Sequence, residues 1–241
     1  MNRKKVFFIS NFALLLMFCF VQIGCNSKKS DSGASQTSEE SIDCFTDSRD
    51  GNVYKIVKIG DQTWMAENLK YLPSVVGPEV SSETEPYYYV YGYNGDNVKD
   101  AKAIENYATY GVLYNWSAAE NACPKGWHLP SDEEWTQLTD FLGGENVAYG
   151  KLKEVGTAHW NESDESITNE SGFTALPAGW RGRSGRYGCF NDIGEHGSWW
   201  SSTEDDSDGA WIRIMYSDDN YIDRRDSGKS LGTSVRCVRD N

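Results

Sequence analysis

The clearest alternation of hydrophobic and polar positions begins at residue 53 and returns toward the C terminus. Val53–Ile59 is rich in β-branched residues, and the Gly60-Asp61 pair that follows predicts a tight turn into a second strand over 63–66. The strand pattern recurs in three later segments, at residues 199–203, 210–216 and 234–238. The patterned part of the chain therefore begins and ends with strands.

The middle of the chain shows helical spacing instead. Over residues 110–122, Leu113, Trp116 and Ala119 recur at three-residue steps, which would place them on one face of a helix. This pattern predicts a first helix with an apolar inner face.

A second helix is predicted directly after residue 130. Ser131 and Glu134 have the spacing of a capping box, in which each side chain accepts a hydrogen bond from the other residue's backbone N–H. The apolar stripe of this helix is formed by Trp135, Leu138 and Leu142. The Gly143-Gly144 pair is predicted to end it, because glycine readily takes the left-handed conformation that terminates helices.

The segments between these elements are rich in loop-forming residues. Residues 73–109 contain three prolines, and the tyrosine-rich run 87–91 within them is either a buried strand or an exposed aromatic edge. A glycine-rich stretch of short strands follows residue 150. The predicted fold class is α+β, loop-rich, with two helices packed on a small, twisted, mostly antiparallel sheet.

The first residues of the chain have the pattern of an export signal. A basic start at 3–5 precedes an apolar run over 6–23. The run ends in a glycine followed by Cys25, which resembles the bacterial lipoprotein processing box, where the cysteine is acylated and becomes the new N terminus. Residues 1–24 are therefore predicted to be a signal peptide, and residues 25–43 a lipidated cysteine with a flexible tether. An ordinary cleaved signal with an incidental cysteine is the alternative.

Charge and length restrict the possible partners. The formal net charge is −13, and it becomes −16 when the three basic residues at 3–5 leave with the signal. A chain this acidic is repelled by phosphate backbones, so nucleic acid is not an expected partner. The membrane is expected to be contacted through the lipid anchor only. Residues 44–241 are long enough for one sizeable core, and a single domain is expected there.

Four cysteines lie beyond residue 25, and an even number in an exported chain indicates two disulfides with three possible pairings. Cys123 precedes the capped helix, and Cys237 lies in the last apolar alternation. A bond between them would tie the final strand back to the first helical unit. We favour this pairing, which leaves Cys44 to pair with Cys189.

The chain carries few of the patterns that reaction chemistry requires. His128, His159 and His196 are far apart and lack the spacing of zinc ligands, and His128 is expected to be a packed, hydrogen-bonded residue ahead of the helix. The acidic loops 204–209 and 218–223 offer oxygens for calcium but lack EF-hand spacing, so solvated turns are the simpler interpretation. We therefore expect no metal and no cofactor.

Aromatic and arginine side chains are concentrated between residues 180 and 225. Aromatic faces stack on sugars or peptides, guanidinium groups bind carboxylates and hydroxyls, and loops on a stapled scaffold commonly carry function. The predicted ligand-binding residues are Trp180, Arg181, Arg183, Tyr187, Tyr216, Tyr221 and Arg224. The alternative is that aromatic residues here form core, and we adopt it for Trp199, Trp200 and Trp211.

Six sequence blocks resemble a known family, in the same order, over nearly all of residues 44–241. The blocks cover residues 50–69, 110–116, 123–131, 172–179, 199–204 and 234–240. Together they resemble the Fibrobacter succinogenes major paralogous domain, which is common on surface and secreted proteins of Bacteroidetes-type bacteria. That family has no established activity, so the resemblance implies a kind of domain without implying its ligand.

A wider resemblance rests on residues 128–135 and on the closing strand with Arg236-Cys237. These segments are similar to the formylglycine-generating-enzyme branch of the C-type-lectin fold. The resemblance implies a C-type-lectin-like fold whose binding face is carried by residues 180–230. That branch also includes oxidases with a reactive cysteine pair late in the chain, where this sequence has only Cys237.

The resulting expectation is a non-catalytic lipoprotein of the bacterial cell envelope, anchored at the outer membrane or cell surface. Its domain is expected to bind a glycan or another surface protein. Two alternatives remain open: a relative of the formylglycine-generating oxidases with enzymatic activity, and a purely structural envelope or adhesion component.

Overall fold

The computed structural model describes residues 43–182 and 189–240. The predictions made for the signal peptide, for Cys25, and for the ligand-binding residues Arg183 and Tyr187 fall outside these residues. Within them, no helix is long and apolar enough to cross a membrane.

Short helices and small antiparallel sheets make up the described part of the chain, in agreement with the predicted α+β class. The strands are β1 (Cys44–Thr46), β2 (Val53–Ile59), β3 (Gln62–Met65), β4 (Tyr88–Tyr89), β5 (Leu113–Tyr114), β6 (Trp127–His128), β7 (Trp180–Arg181), β8 (Phe190–Asn191), β9 (His196–Glu204), β10 (Gly209–Tyr216), β11 (Asp223–Gly228) and β12 (Val238–Arg239). The helices are α1 (Val98–Lys102), α2 (Glu105–Tyr110), α3 (Trp116–Ala119), α4 (Asp132–Phe141) and α5 (Glu145–Leu152).

The last strand of the chain lies inside the first sheet. The predicted hairpin forms as β2 and β3, joined at Gly60, which has a φ of +60°. Strand β12 pairs with β3 on one side and β6 on the other, so the five-stranded order is β1-β2-β3-β12-β6, all antiparallel. The C-terminal residues thus connect the N-terminal hairpin to the segment that leads into α4.

A disulfide fixes this arrangement. Cys123 and Cys237 are bonded, with their Cα atoms 5.9 Å apart, which confirms the favoured pairing. The second predicted pairing, Cys44–Cys189, is wrong. Cys189 carries a free, exposed thiol directly before β8, whereas Cys44 lies in β1 of the five-stranded sheet.

The predicted helix over 110–122 is wrong in its first half. Gly111, with a φ of +79°, ends α2, and a Cβ there would lie 2.7 Å from the carbonyl oxygen of Leu69. The chain then forms β5, which pairs with β4, so the tyrosine-rich run supplies a strand. Helix formation resumes only at α3, whose first turn is capped by the side chain of Asn115.

Helix α4 forms as its sequence predicts. The capping box between Ser131 and Glu134 is complete, and the stripe of Trp135, Leu138 and Leu142 is buried. Gly143 and Gly144 have φ values of +108° and +91°, so the chain turns there and begins α5, which the sequence pattern did not reveal.

The second sheet consists of β11, β10 and β9 in that order, again antiparallel. Strands were predicted at β9 and β10, but not at the charged edge strand β11. The predicted strand over 234–238 is mostly irregular, since only its last residue belongs to β12. Ser234 instead bridges to Trp199, which brings the two sheets together.

Buried arginines hold the irregular segments in place. Arg236 is fully buried, and its guanidinium donates to the carbonyl oxygens of Met65, Phe173 and Thr174 and to the side chain of Asn68. A buried backbone carbonyl without a partner costs about as much as a lost hydrogen bond. The guanidinium therefore satisfies a carbonyl at the end of β3 and two carbonyls of the loop that contains Phe173.

Candidate ligand-binding cleft

The described members of the predicted ligand surface do not lie together. Trp180 and Tyr216 come close through the ring of His196, which lies 6.4 Å from the first and 4.9 Å from the second, centroid to centroid. Tyr221 is exposed. Arg181 and Arg224 have other roles, described next.

The prediction that Arg181 faces a ligand is wrong. Its side chain has no exposed surface, and its guanidinium donates to the carbonyl oxygens of Pro78, Val80 and Ser230. The guanidinium also stacks over Tyr89, with 4.6 Å between the guanidinium carbon and the ring centroid. Arg181 pins the loop before β4 to the rest of the fold, as Arg236 does elsewhere.

Arg224 is exposed but already engaged. It donates to both carboxylate oxygens of Asp132 at the start of α4, and its guanidinium carbon lies 3.4 Å above the ring of Trp211. Trp211 is therefore a half-buried surface ring and not a core residue as predicted, while Trp199 and Trp200 are buried and confirm that prediction. This cluster fastens β10 and β11 to α4.

A cleft of about 440 Å³ opens beside Tyr216 and His196. Its lining consists of Asn161, Glu162, Asp192, Glu195, His196, Tyr216, Ser217 and Asp218. This volume falls within the usual range for small-molecule sites, about 300–1,000 Å³. The cleft combines a partly exposed ring with hydroxyl, amide and carboxylate groups.

The backbone around the cleft is built by a tight turn and a strand pair. Asp192 and Gly194 have positive φ values of 58° and 85°, and the backbone N–H of His196 closes the turn on the carbonyl of Asp192 at 2.9 Å. His196 begins β9 and lies directly opposite Tyr216, the last residue of β10. The paired ends of these strands therefore place the imidazole and the phenol ring side by side at the cleft.

The imidazole of His196 has no hydrogen-bond partner among the described residues. It is only 7% exposed, and both ring nitrogens are buried without a donor or an acceptor. Burial lowers the pKa of His196 to about 4, and the opposing attraction of Asp192 is weaker than this effect. The ring is therefore neutral at neutral pH, with one nitrogen able to donate and one able to accept.

Two of the carboxylates around the cleft are held by neighbouring side chains. Asp192 accepts a hydrogen bond from the indole N–H of Trp180 at 2.8 Å, so Trp180 contacts the cleft from outside its lining. Glu195 accepts from the side-chain amide of Asn161 at 3.2 Å. Both contacts orient the rim of the cleft.

A second cleft, of about 410 Å³, lies along α5. It is lined by the backbone and side chains of Asn146, Tyr149 and Gly150, among others, and by the ion pair between Lys151 and Glu170. The buried polar groups at its base are satisfied: the hydroxyl of Tyr149 donates to the carbonyl of Tyr216. The second cleft therefore has a suitable shape, but in the described part of the chain no buried polar group at its base lacks a hydrogen-bond partner.

Two groups that could carry chemistry are used in structural contacts instead. The thiol of Cys237, which the oxidase alternative requires free or metal-bound, is used in the disulfide. His159 pairs with Glu154 at 2.8 Å. Across residues 43–182 and 189–240, no three or more His, Cys, Asp or Glu side chains are grouped so as to hold a metal ion.

His128 is hydrogen-bonded, as predicted, and links the C terminus to α4. Its Nδ1 lies 2.7 Å from Asp240, and its Nε2 lies 2.8 Å from Glu134, the capping-box residue. Burial opposes the charge on the ring, but the hydrogen bonds to Asp240 and Glu134 and the attraction of these carboxylates raise the pKa of His128 above 6.5.

This histidine predicts a stability that depends on pH. A raised folded pKa means that the stabilisation is fully present below about pH 6.5 and is lost as the pH rises through the folded value. We expect His128→Gln to lower the free energy of unfolding more at pH 6 than at pH 8, by under about 1 kcal/mol because the pair is partly exposed. Urea unfolding of both proteins at the two pH values measures the difference. An equal loss of unfolding free energy at both pH values would contradict a stabilising role for the hydrogen bonds of His128.

Substitution of His196 is expected to stabilise the protein, whereas substitution of His128 is expected to destabilise it. Replacing it with phenylalanine keeps a flat ring against Tyr216 and removes two buried nitrogens without partners, so we expect the free energy of unfolding at pH 7 to rise by about 1 kcal/mol. As the pH falls from 6.5 toward 4, the unfolded wild-type chain takes up a proton that the folded chain refuses, so the advantage of the variant should grow. His159→Phe, which breaks a satisfied pair, is the control. A His196→Phe protein less stable than wild type at pH 7 would mean that the nitrogens have partners.

The sequence carries no signal that could have identified His196. The three histidines show no ligand spacing, and the residues that surround His196 come from segments near 161, 192 and 217. Only the fold brings these segments together.

A model of a known protein family matches most of the chain. The model of the Fibrobacter succinogenes major domain matches residues 57–239. No curated protein and no solved structure matches the chain.

Proposed function

This chain belongs to the Fibrobacter succinogenes major domain family, and we propose that it is a non-catalytic binding protein of the bacterial cell envelope. Its ligand is an extracellular glycan, or a glycan-bearing surface protein, held in the cleft beside His196 and Tyr216. The protein is held at the outer membrane or cell surface through a lipid on Cys25.

The proposal rests on one observation: the buried imidazole of His196 at the cleft has no hydrogen-bond partner within residues 43–182 and 189–240. Buried side-chain nitrogens almost always have hydrogen-bond partners, so an orphaned imidazole that lines a cleft of ligand size calls for a group from outside. The partly exposed ring of Tyr216 and the hydroxyl and amide groups of Ser217 and Asn161 suit a sugar, which presents an apolar ring face and many hydroxyls.

A C-type-lectin-like architecture is part of the proposal. Three features support it: the final strand lies inside the first sheet, a disulfide ties that strand to the segment before α4, and a second small sheet carries the loops near the cleft. In such a scaffold the loops between 180 and 230 would be free to vary while the closed sheet holds their ends.

The lipid anchor rests on the sequence pattern that ends at Cys25. A mass measurement of the mature, non-reduced protein from a bacterial host tests it. The expected result is a chain that begins at residue 25 and carries acyl groups, and a chain cleaved elsewhere without lipid would contradict the anchor.

The binding function is tested with the full chain, purified in detergent micelles, on arrays of glycans and envelope polysaccharides. We expect a saturable glycan signal that falls at least about tenfold, or about 1.4 kcal/mol, in Trp180→Ala/Tyr216→Ala. The matched control is Trp211→Ala/Tyr221→Ala, which removes the same two ring types away from the cleft lining. Circular dichroism and melting curves establish that both variants are folded.

The two double variants separate the possible outcomes. Loss of binding in the cleft variant alone supports the site. Loss in the control variant alone would move the site to the Trp211 surface. A folded cleft variant with unchanged binding would contradict the proposal.

A further inference from the structure

The cleft is strongly acidic. Glu162, Asp192, Glu195 and Asp218 line it, and no lysine or arginine does. Within the described residues none of these four carboxylates takes part in an ion pair, and Glu162 and Asp218 accept no side-chain hydrogen bond. Two cations act on the cleft from outside its lining. Arg225 acts electrostatically on His196 and Tyr216, but it is itself paired with Asp223 at 2.6 Å. The buried ammonium group of Lys153 donates to the carbonyl oxygen of Ser217 at 3.0 Å and is attracted by Glu162 and Asp218, so it offsets part of their charge without forming an ion pair with either.

A metal ion does not explain this concentration of charge. Calcium needs six to eight oxygen ligands at about 2.3–2.6 Å, and zinc needs closely grouped nitrogen, sulfur or carboxylate ligands. No such group exists among the described residues. Dispersed carboxylates around an aromatic face instead suit an organic cation, whose charge is spread over a larger volume and is attracted to a ring face.

The imidazole points to the same kind of ligand. As a neutral ring, His196 offers one acceptor nitrogen, and an ammonium group is a donor only. Its other nitrogen is a donor, which a hydroxyl group or a water held by the ligand can satisfy. A ligand that carries an ammonium group beside hydroxyl groups therefore gives both ring nitrogens of His196 a hydrogen-bond partner. Its positive charge also offsets the negative charge of the carboxylates around the cleft.

We infer that the cleft selects an amino sugar with a free ammonium group. The inference rests on the proposed function and deepens it by naming the ligand class. Glu162 and Asp218 attract the ammonium group, the ring of Tyr216 packs against the sugar, and His196 gains its missing partners from the ligand or from a water that the ligand holds.

The test uses a short glucosamine oligomer and its fully N-acetylated form, which differ in the ammonium groups. Calorimetric titration of the full chain in detergent micelles at mildly acidic pH gives both affinities. We expect the free-amine oligomer to bind at least about tenfold more tightly than the acetylated one. A lysine-containing peptide, with the same ammonium group but no sugar, is the second comparison and should bind more weakly than the free-amine oligomer.

Two charge variants locate the effect. Glu162→Gln/Asp218→Asn removes two cleft charges and should weaken binding of the free-amine oligomer about thirtyfold, as expected for two contact attractions in water. Glu83→Gln/Asp96→Asn removes the same two charges from exposed loops and should leave affinity unchanged. His196→Phe should also lose affinity while remaining folded, which separates a lost contact from a lost fold.

Each other outcome overturns the inference in a distinguishable way. Equal binding of both oligomers would refute the ammonium selectivity and leave glycan binding intact. Tighter binding of the peptide would assign the cleft to a protein ligand. If the two charge variants weakened binding equally, the attraction would come from the overall net charge of the protein and not from the cleft. Binding of neither oligomer would refute the inference, while the glycan array would still decide whether the proposed function stands.

Discussion

Removing the Cys123–Cys237 bond by Cys123→Ala/Cys237→Ala is expected to lower the free energy of unfolding by about 4–5 kcal/mol. The bond closes a loop with a sequence separation of 114 residues, and the loss of chain entropy that it imposes on the unfolded state grows with loop length. Cys237 is also fully buried beside β3, where its carbonyl accepts from the N–H of Met65 at 3.0 Å. Equilibrium unfolding in urea, under non-reducing conditions, measures the change.

The free thiol supplies the control for this experiment. Cys189→Ala removes an exposed, unbonded cysteine and should change stability by less than about 0.5 kcal/mol. A double variant as stable as wild type would show that β12 holds its place in the first sheet without the bond.

Replacing Arg236 with methionine is expected to cost at least about 3 kcal/mol of unfolding free energy. Methionine fills similar space but leaves the carbonyls of Met65, Phe173 and Thr174 without a donor, and each buried orphan costs about 1–3 kcal/mol. Burial lowers the pKa of Arg236 to about 9, so the side chain is still charged at neutral pH and these are charge-assisted bonds.

Arg239→Met is the matched control for Arg236→Met, since Arg239 is exposed and only stacks over Trp127, with its guanidinium carbon 4.9 Å from the ring centroid. We expect its unfolding midpoint in urea to remain close to that of wild type. Equal midpoints for the two variants would show that the loop carbonyls find other partners, and that buried arginine does not organise the irregular segments.

The elements that could be predicted from the sequence are those whose signals are local. The β2–β3 hairpin depends on a β-branched run and one glycine turn, and α4 depends on its own cap and stripe. The segment 110–122 could not be predicted in the same way, because the partner of β5 lies in the tyrosine-rich run before α1. Pairing across the chain overrode the helical spacing there.

Strand β11 shows a different limit. Its sequence, from Asp223 to Gly228, is dominated by charged residues, and it becomes a strand because the edge of β10 offers hydrogen bonds along its whole length. An edge strand with exposed charges leaves no hydrophobic alternation to detect. Helix α5 was not predicted because it begins directly after a pair of glycines, and those glycines indicated only the end of α4.

The predicted ligand surface illustrates how far composition can mislead. Trp180 and Arg181 are neighbours in β7, so their side chains point to opposite sides of the strand. Trp180 contacts the rim of the cleft, and Arg181 is buried in the interior. The sequence does not indicate which of the two side chains faces which side. Tyr216, one of the predicted ligand-binding residues, lines the cleft, whereas His196, opposite it, has no sequence signal at all.

The central claim is that the cleft beside His196 binds the ligand. The chain has only three histidines, so the imidazole nitrogens of His128, His159 and His196 can be followed separately by ¹⁵N NMR. When a glycan identified on the arrays is added to the full chain, the account predicts that both nitrogens of His196 shift while those of the other two remain in place. Saturating glycan that leaves the His196 nitrogens unmoved would contradict it.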